Sequence, residues 1–455
     1  MNIEVLLFEN LEDINSESIN NYEVNKNLLE VNKFEAKKGQ MFFLADSDNT
    51  EWSTLIVGTG GCKSEYDFVN LGAKIGKKIG KDSDIKLVQK AKDLDIYSIE
   101  FGLAISTYSF DEFKSEKSST INFKVIDSEY SAEIQNKIQS IFWVRDMVNY
   151  PALTKSPEFF QEKVENFVNG LDINLTIFDE KWILENNMGG VSGVAQGSDR
   201  SPKFLVGEYN PNAKKQIALI GKGVLFDSGG LSLKSPSGME TMKSDMAGAA
   251  TAWGIIALIA KQGVDIGLKV YTPIVENMPS GSAIRPGDVL KMRNGKTIEV
   301  MNTDAEGRLI MADALAYASE SSPDIICDVA TLTGAAYVAL GVEIGAVFSN
   351  NDSTLKNFLN SNSDGFENYH SLPLEQSYKA LIKSSIADMK NSGGRFGGAI
   401  TASLLLEEFV DDIDWIHLDI AGPGRSRSNT SIYPEGGTGF GVVGYFNFIK
   451  AEANN

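Results

Sequence analysis

The stretch Ile217-Ala218-Leu219-Ile220-Gly221-Lys222-Gly223-Val224-Leu225-Phe226-Asp227-Ser228-Gly229-Gly230 opens on an apolar run and breaks into a polar loop punctuated by glycines. A short apolar run bounded by turn residues suits a strand buried on both faces. The loop continues through Lys234 to Lys243-Ser244-Asp245, and residues 246–261 then carry a helical pattern. The same strand, loop and helix order recurs downstream. Residues 298–301 precede a loop holding Asp304, Glu306 and Arg308, and residues 309–319 form the helix, with Leu309, Ala312, Asp313, Leu315 and Ala316 along it. Further strand candidates lie at 174–178, 204–208, 267–274, 325–330, 345–349 and 415–419, with a helix at 399–409. Alternation of this kind predicts an α/β fold with a mixed, mostly parallel sheet flanked by helices. In such sheets, sites form in loops at the carboxyl ends of strands, which is where both polar loops fall.

Working outward, residues 130–148 predict a helix from Ile134, Ile138, Ile141, Phe142 and Val148, stopped by Pro151. Upstream, strand-like runs at 3–8, 41–44, 54–57 and 98–101 surround a helix over 66–79. Lys74, Lys77, Lys78 and Lys81 mark that helix's solvated face. Gly58-Thr59-Gly60-Gly61-Cys62-Lys63-Ser64 superficially resembles a phosphate loop, but Cys62 stands where a glycine is required. It reads as a strand-to-helix turn. The expected organisation is a small N-terminal α/β domain over 1–128, a linker helix over 129–150 and a larger catalytic domain over 151–455.

The 455 residues carry 61 Asp+Glu against 42 Lys+Arg, a formal charge of −19. That balance argues against nucleic acid as a partner, because phosphate binding needs clustered basic residues. Cys62 and Cys327 are far apart and form no CxxC pair, so both read as reduced thiols. Only His370 and His417 are present, so any metal site must lean on carboxylates. The start, MNIEVLLFEN, shows neither a basic n-region nor an apolar h-region, and no stretch has the length of a membrane span. A cytoplasmic protein is expected.

In an extended segment, residues two apart point to the same side, so Asp304 and Glu306 can converge on one cation. The bland alternative is that both carboxylates cap the helix beginning near Leu309. That alternative weakens when the first loop is added. Asp227 adjoins Gly229-Gly230, which let the backbone turn tightly. Asp245 precedes the small-residue stretch Met246-Ala247-Gly248-Ala249-Ala250, where an unpaired carboxylate would be costly to bury. Four carboxylates can hold two divalent cations that share a hydroxide of lowered pKa. Lys222 and Lys234 can each be an ion-pair partner of the acids, a neutral nitrogen ligand, or a charge that stabilises an oxyanion. A two-metal phosphoesterase would share the carboxylates but would normally add histidines or a basic phosphate clamp.

The pattern Gly221-Lys222-Gly223, Phe226-Asp227-Ser228-Gly229-Gly230, Met242-Lys243-Ser244-Asp245-Met246 and Asn302-Thr303-Asp304-Ala305-Glu306-Gly307-Arg308-Leu309 resembles the leucyl aminopeptidase (cytosol aminopeptidase) family, peptidase family M17. Supporting stretches run along residues 140–455, among them Arg145-Asp146-Met147-Val148-Asn149, Thr331-Leu332-Thr333-Gly334-Ala335 and Asn391-Ser392-Gly393-Gly394-Arg395. The resemblance implies a metallo-aminopeptidase that releases leucine and other N-terminal residues from peptides with a free N-terminus, through a hydroxide held by two metals. It implies Lys222, Asp227, Asp245, Asp304 and Glu306 as ligands of two cations, Zn²⁺ or Mn²⁺, with Mg²⁺ and Co²⁺ as alternatives. Lys234 matches the catalytic lysine that polarises the scissile carbonyl. Arg308 matches the arginine that holds a bicarbonate acting as general base. Met242, Asn302, Thr331, Leu332 and Gly334 match the substrate-binding wall, to which Lys234 also contributes. A homohexamer is implied as well. The proline after Lys234 is displaced by one position, to Pro236, and the tail 436–448 does not align with the family's pocket residues.

Overall fold

A computed structural model describes residues 1–11, 18–19, 22–23, 29, 31–44, 52–90, 94–117 and 121–454. The chain divides into two compact units. One comprises residues 1–138, 364–366 and 428–434; the other comprises 139–363, 367–427 and 435–455.

The first unit is built on a five-stranded sheet. Its strands are β1 (Asn2–Phe8), β2 (Met41–Phe43), β3 (Trp52–Gly58), β4 (Ser83–Gln89) and β5 (Phe123–Val125), in the order β2-β3-β1-β4-β5. The central β1 runs parallel to β3 and β4. Helix α1 (Glu65–Ile79) follows β3, and Ser64 caps it by accepting from the Asp67 amide. The glycine-rich segment 58–64 is thus a strand-to-helix turn, and Lys74, Lys77 and Lys78 are exposed. Residues 98–101 are not a strand. They lie within helix α2 (Ile96–Ile105), whose N-terminal Asp95 accepts from the Ser98 amide. Residues Ser98 to Leu103 are buried on every side, so the apolar run shows no helical stripe and reads like a strand. Glycines set the contact between α1 and α2. A Cβ on Gly72 would lie 2.0 Å from the Ile99 carbonyl oxygen, and one on Gly102 would lie 2.1 Å from that of Val69.

The second unit begins within helix α3 (Ser131–Asn149). Its sheet strands are β6 (Ile173–Phe178), β7 (Lys203–Tyr209), β8 (Gln216–Gly221), β9 (Gly223–Asp227), β10 (Gly267–Asn277), β11 (Ile325–Ala330), β12 (Ile344–Ser349), β13 (Asn368–Ser371) and β14 (Asp414–Asp419). Their order is β13-β12-β14-β11-β8-β10-β7-β6, with β9 beside β10. The pairs β13/β12, β14/β11, β11/β8, β8/β10 and β9/β10 are parallel; β12/β14, β10/β7 and β7/β6 are antiparallel. The sheet is mixed and mostly parallel, as the alternation predicts.

Two helices cover its opposite faces. Helix α5 (Gly307–Ser319) shares a core with Phe204, Val206, Ala218, Ile220, Tyr271 and Val275. Helix α4 (Ala247–Gln262) meets the alternate residues. Its Trp253 is fully buried, donates to Thr272 Oγ1 at 3.0 Å and fills the space a Cβ on Gly207 would take. This is the period-two alternation of a strand covered on both sides.

Asp313 stands out on α5. It is fully buried, and its carboxylate accepts from the amides of Gly190 (2.7 Å), Val191 (3.0 Å) and Arg293 (2.9 Å). Helix 189–195 has no side-chain cap of its own, so α5 supplies the acceptor its first amides need. Burial pushes the Asp313 carboxyl up to about 7, against the pull of those three amides. Asp313→Ala would leave three buried donors without an acceptor. We expect a loss of about 2–4 kcal/mol of unfolding free energy, read from the urea midpoint. An unchanged midpoint would show that water replaces the carboxylate at no cost.

Candidate metal centre

Lys222 lies between β8 and β9, where its backbone is clamped. Its amide donates to the Val329 carbonyl at 3.1 Å, and its carbonyl accepts from the Ala249 amide at 2.8 Å. The clamp explains the small residues that begin α4. A Cβ on Gly248 would sit 2.1 Å from the Val329 oxygen, and one on Gly221 would sit 2.6 Å from Ala249 Cα. Asp227 ends β9, and Asp245 closes the short turn Met242–Ser244 ahead of α4. Asp304 and Glu306 lie in the turn between the strand Thr297–Glu299 and α5. Strand ends and helix starts from both loops therefore meet at one edge of the sheet.

The extended geometry expected for Asp304 and Glu306 is not what brings them together. Residues 303–304 form a turn, and Glu306 already has helical angles at the N-cap position (φ −78, ψ −34). Its side chain makes no capping hydrogen bond. The capping alternative therefore fails for Glu306, and its carboxylate points elsewhere.

It points at the other acids. Asp227, Asp245 and Glu306 each offer an oxygen within 4.8 Å of the other two, and all three are buried. Lys222 Nζ lies 2.8 Å from both Asp245 oxygens, 3.1 Å from Glu306 Oε1 and 3.0 Å from the Thr331 carbonyl. Lys234 Nζ lies 2.7 Å from Asp227 Oδ2 and 2.5 Å from Asp304 Oδ1. Four carboxylates thus face two ammonium groups. Burial, then repulsion from Glu306, raises the Asp227 carboxyl; burial raises Asp245 further, and burial and Asp227 raise Asp304. Burial opposes the charge on Lys222, but Asp245, Glu306 and Asp227 more than offset it and hold the ammonium above its ordinary range. Lys234 is held up in the same way by Asp227 and Glu306.

The donor set fits divalent cations. Glu306 Oε2 is buried with no partner among the described residues. Asp245 Oδ2 and Asp304 Oδ1 are buried and meet only lysine charges, off the hydrogen-bonding direction. Hard oxygen donors with unused lone pairs, held in mutual repulsion, make a cation site.

Asn277 carried no sequence signal, and the bracing roles of Thr303, Thr331 and Asn391 appear only in the structure. Asn277, at the end of β10, donates from Nδ2 to Asp227 Oδ1 (2.8 Å) and to the Thr303 carbonyl (2.9 Å), tying the two loops together. Thr303 Oγ1 donates to the Gly229 carbonyl and accepts from the Ser232 amide. Thr331 Oγ1 donates to Asp245 Oδ1 at 2.8 Å. Asn391 Oδ1 accepts from the amides of Met301 and Asn302, holding the second loop from the other side. Gly229 and Gly230 have φ of 87° and 64°, and a Cβ on Gly229 would lie 2.8 Å from Asp304 Oδ1.

A cavity of about 330 Å³ opens over this centre. Lys222, Asp227, Lys234, Asp245, Asp304 and Glu306 line it, as do Met242, Thr331, Leu332 and Gly334. Asn302 falls instead on an adjoining cavity of about 200 Å³, with Arg308, Ser392 and Thr401. The two cavities share Asp304, Leu332, Thr333 and Gly334. Arg308 is buried; Nη1 donates to the Asn391 carbonyl at 2.7 Å and Nε has no partner among the described residues. Burial brings its guanidinium down to about 10, against the pull of Glu306 and Asp419.

Residues 142–444 match the model of the cytosol aminopeptidase family, catalytic domain. A probable cytosol aminopeptidase of Syntrophotalea carbinolica is 42% identical over 367 residues, covering 77% of this chain and 74% of its own. That of Clostridium perfringens is 36% identical over 465 residues, covering 96% and 93%. Among solved structures, the cytosol aminopeptidase from Coxiella burnetii superimposes with a TM-score of 0.89 at 29% identity, over 100% of this chain and 97% of that one. The bottromycin maturation enzyme BotP in complex with Mn gives 0.90 at 29% identity, over 99% of each chain.

Gly307 gives a direct handle on this geometry. A Cβ there would lie 2.4 Å from Lys222 Cε and 2.7 Å from its Nζ. Gly307→Ala favours the helix but displaces the lysine from Asp245 and Glu306. The expected result is an intact fold with metal affinity lowered roughly ten-fold or more, as when a supporting partner is disturbed. Chelator competition measures it; unaltered affinity would remove Lys222 from the centre.

Proposed function

This chain belongs to the cytosol aminopeptidase family and is a metal-dependent aminopeptidase, and on that premise we propose how its residues divide the work. Asp227, Asp245, Asp304 and Glu306 hold two divalent cations, joined by Lys222 once an arriving cation displaces its proton, with Zn²⁺ or Mn²⁺ expected and Mg²⁺ or Co²⁺ as alternatives. The observation that carries this reading is the buried Glu306 Oε2, without a hydrogen-bond partner among the described residues, clustered with Asp227 and Asp245. When bound, two such cations supply Lewis acidity to the scissile carbonyl and render water acidic enough to attack near neutral pH.

The protein's own groups do the rest. The acidic floor accepts the substrate's free α-amine, which makes cleavage stop at the first residue; a blocked N-terminus loses that contact. Lys234 is held as an ammonium at the cavity wall, where it donates to the oxyanion that develops on the carbonyl. Met242, Thr331, Leu332 and Gly334 wall a space for the first side chain, and Leu332 and Met242 suit leucine. Asn302 lies one cavity away and bounds the passage to Arg308. Arg308, buried beside Asp304, offers a planar guanidinium to a planar anion; bicarbonate held there supplies a general base.

We assign catalysis to residues 151–455, with 129–150 as the linking helix and 1–128 as a separate domain. A homohexamer acting on peptides in the cytoplasm completes the reading. No described helix is long and apolar enough to cross a membrane.

The assignments separate in two variants. Lys234→Ala should keep both metals and lower kcat about 10²–10³-fold on leucine p-nitroanilide. Asp304→Ala should lose about one of the two metals, by elemental analysis. Equal metal loss in both variants would contradict the division of roles.

A further inference from the structure

The cavity above the acidic floor has a second charged wall of opposite sign. Arg425 and Arg427 both line it, near Tyr337, Val342 and Met242. Arg425 begins a short strand, Arg425–Ser426, paired antiparallel with Gly436–Gly437, and Arg427 follows directly after it. The pairing fixes the backbone that presents Arg425.

Neither guanidinium is hydrogen-bonded to a carboxylate among the described residues. For Arg425 the nearest ion-pair partner is Glu435, whose Oε1 lies 3.8 Å from Nη2 on a largely exposed side chain. That distance is too long for a hydrogen bond. Arg427 rests over the Tyr337 ring, 5.0 Å from its centroid. Attraction of a cation to a ring face spends none of the guanidinium's N–H groups. Lys243, close enough to Arg425 to be repelled by it, donates its ammonium to the Asn149 carbonyl at 2.6 Å. In a chain with 61 acidic residues, two cavity-lining arginines without a carboxylate hydrogen bond form an open anion site.

We propose that Arg425 and Arg427 form an anion subsite that makes this enzyme favour peptides carrying a carboxylate beside the cleaved bond. The proposal rests on the aminopeptidase reading and sharpens its substrate class. The floor takes the cationic end of the substrate, and the opposite wall takes an anionic group. That group is either an acidic side chain on the first or second residue, or the terminal carboxylate of a dipeptide. Arg425 and Arg427 are specificity residues, in contact with the substrate away from the reacting atoms.

The test uses the full-length, Mn²⁺-loaded enzyme and three substrate pairs that differ only in acid against amide. Glu-Gly-amide against Gln-Gly-amide reads the first side chain. Leu-Glu-amide against Leu-Gln-amide reads the second. Leu-Gly against Leu-Gly-amide reads the terminal carboxylate. In at least one pair the wild type should favour the acid about ten-fold in kcat/KM, mainly through KM, the scale of one partly exposed charge-assisted hydrogen bond. Added salt should shrink that ratio. Arg425→Met and Arg427→Met should each reduce it and the double variant bring it near one, while Arg425→Lys keeps part of it. Ratios near one in all three pairs for the wild type would overturn the proposal, as would an unchanged ratio in the double variant. The wild-type ratios decide the question even if a variant fails to fold. Failure of the aminopeptidase reading looks different: no substrate of any pair would be cleaved.

Discussion

Four carboxylates brought together in a buried site repel one another, and the second unit is built around holding them there. They come from three breaks in the chain: Asp227 from the end of β9, Asp245 from the turn before α4, and Asp304 and Glu306 together from the turn before α5. None has enough hydrogen-bond donors to settle its charge. Asp227 receives Asn277 and the Gly229 amide, and Asp245 receives Thr331, but among the described residues Glu306 receives only the Lys222 ion pair. Without cations, Lys222 and Lys234 supply the opposing charge. Two ammonium groups against four carboxylates leave the centre negative, which is the electrostatic drive for divalent binding.

The surrounding packing follows from that constraint. Lys222 can reach the acids only because Gly307 leaves room for its Cε and Nζ, and its backbone can sit where it does only because Gly221 and Gly248 let α4 touch β8. The helix starts are placed by the same contacts, so their small residues are a condition of the site. Asn277 and Asn391 hold the two loops from opposite sides and carry no charge into an already crowded electrostatic environment.

Much of this was legible in the chain. The alternation of strands and helices predicts the large sheet, and the carboxylates were recognisable by their place after strands. The convergence of Asp304 and Glu306 was expected for the wrong reason. An extended segment would align them, whereas the structure uses a turn, and spacing by two residues cannot distinguish the two. Residues 98–101 were misread because a helix buried on all sides has no stripe. Asn277 was invisible because its partners lie 50 and 26 residues away, and nothing local marks an asparagine as a brace. Arg425 and Arg427 were unread because their sign matters only once the cavity is known to have an acidic floor.

On the proposed reading, activity depends on two divalent cations held together by this one cluster, and the metal content of the active enzyme decides it. The apo protein is titrated with Mn²⁺ while bound metal per chain and leucine p-nitroanilide hydrolysis are followed on the same samples. Full rate is expected only when two cations are bound per chain, and none in their absence. Full rate with one cation, or with none, would contradict it.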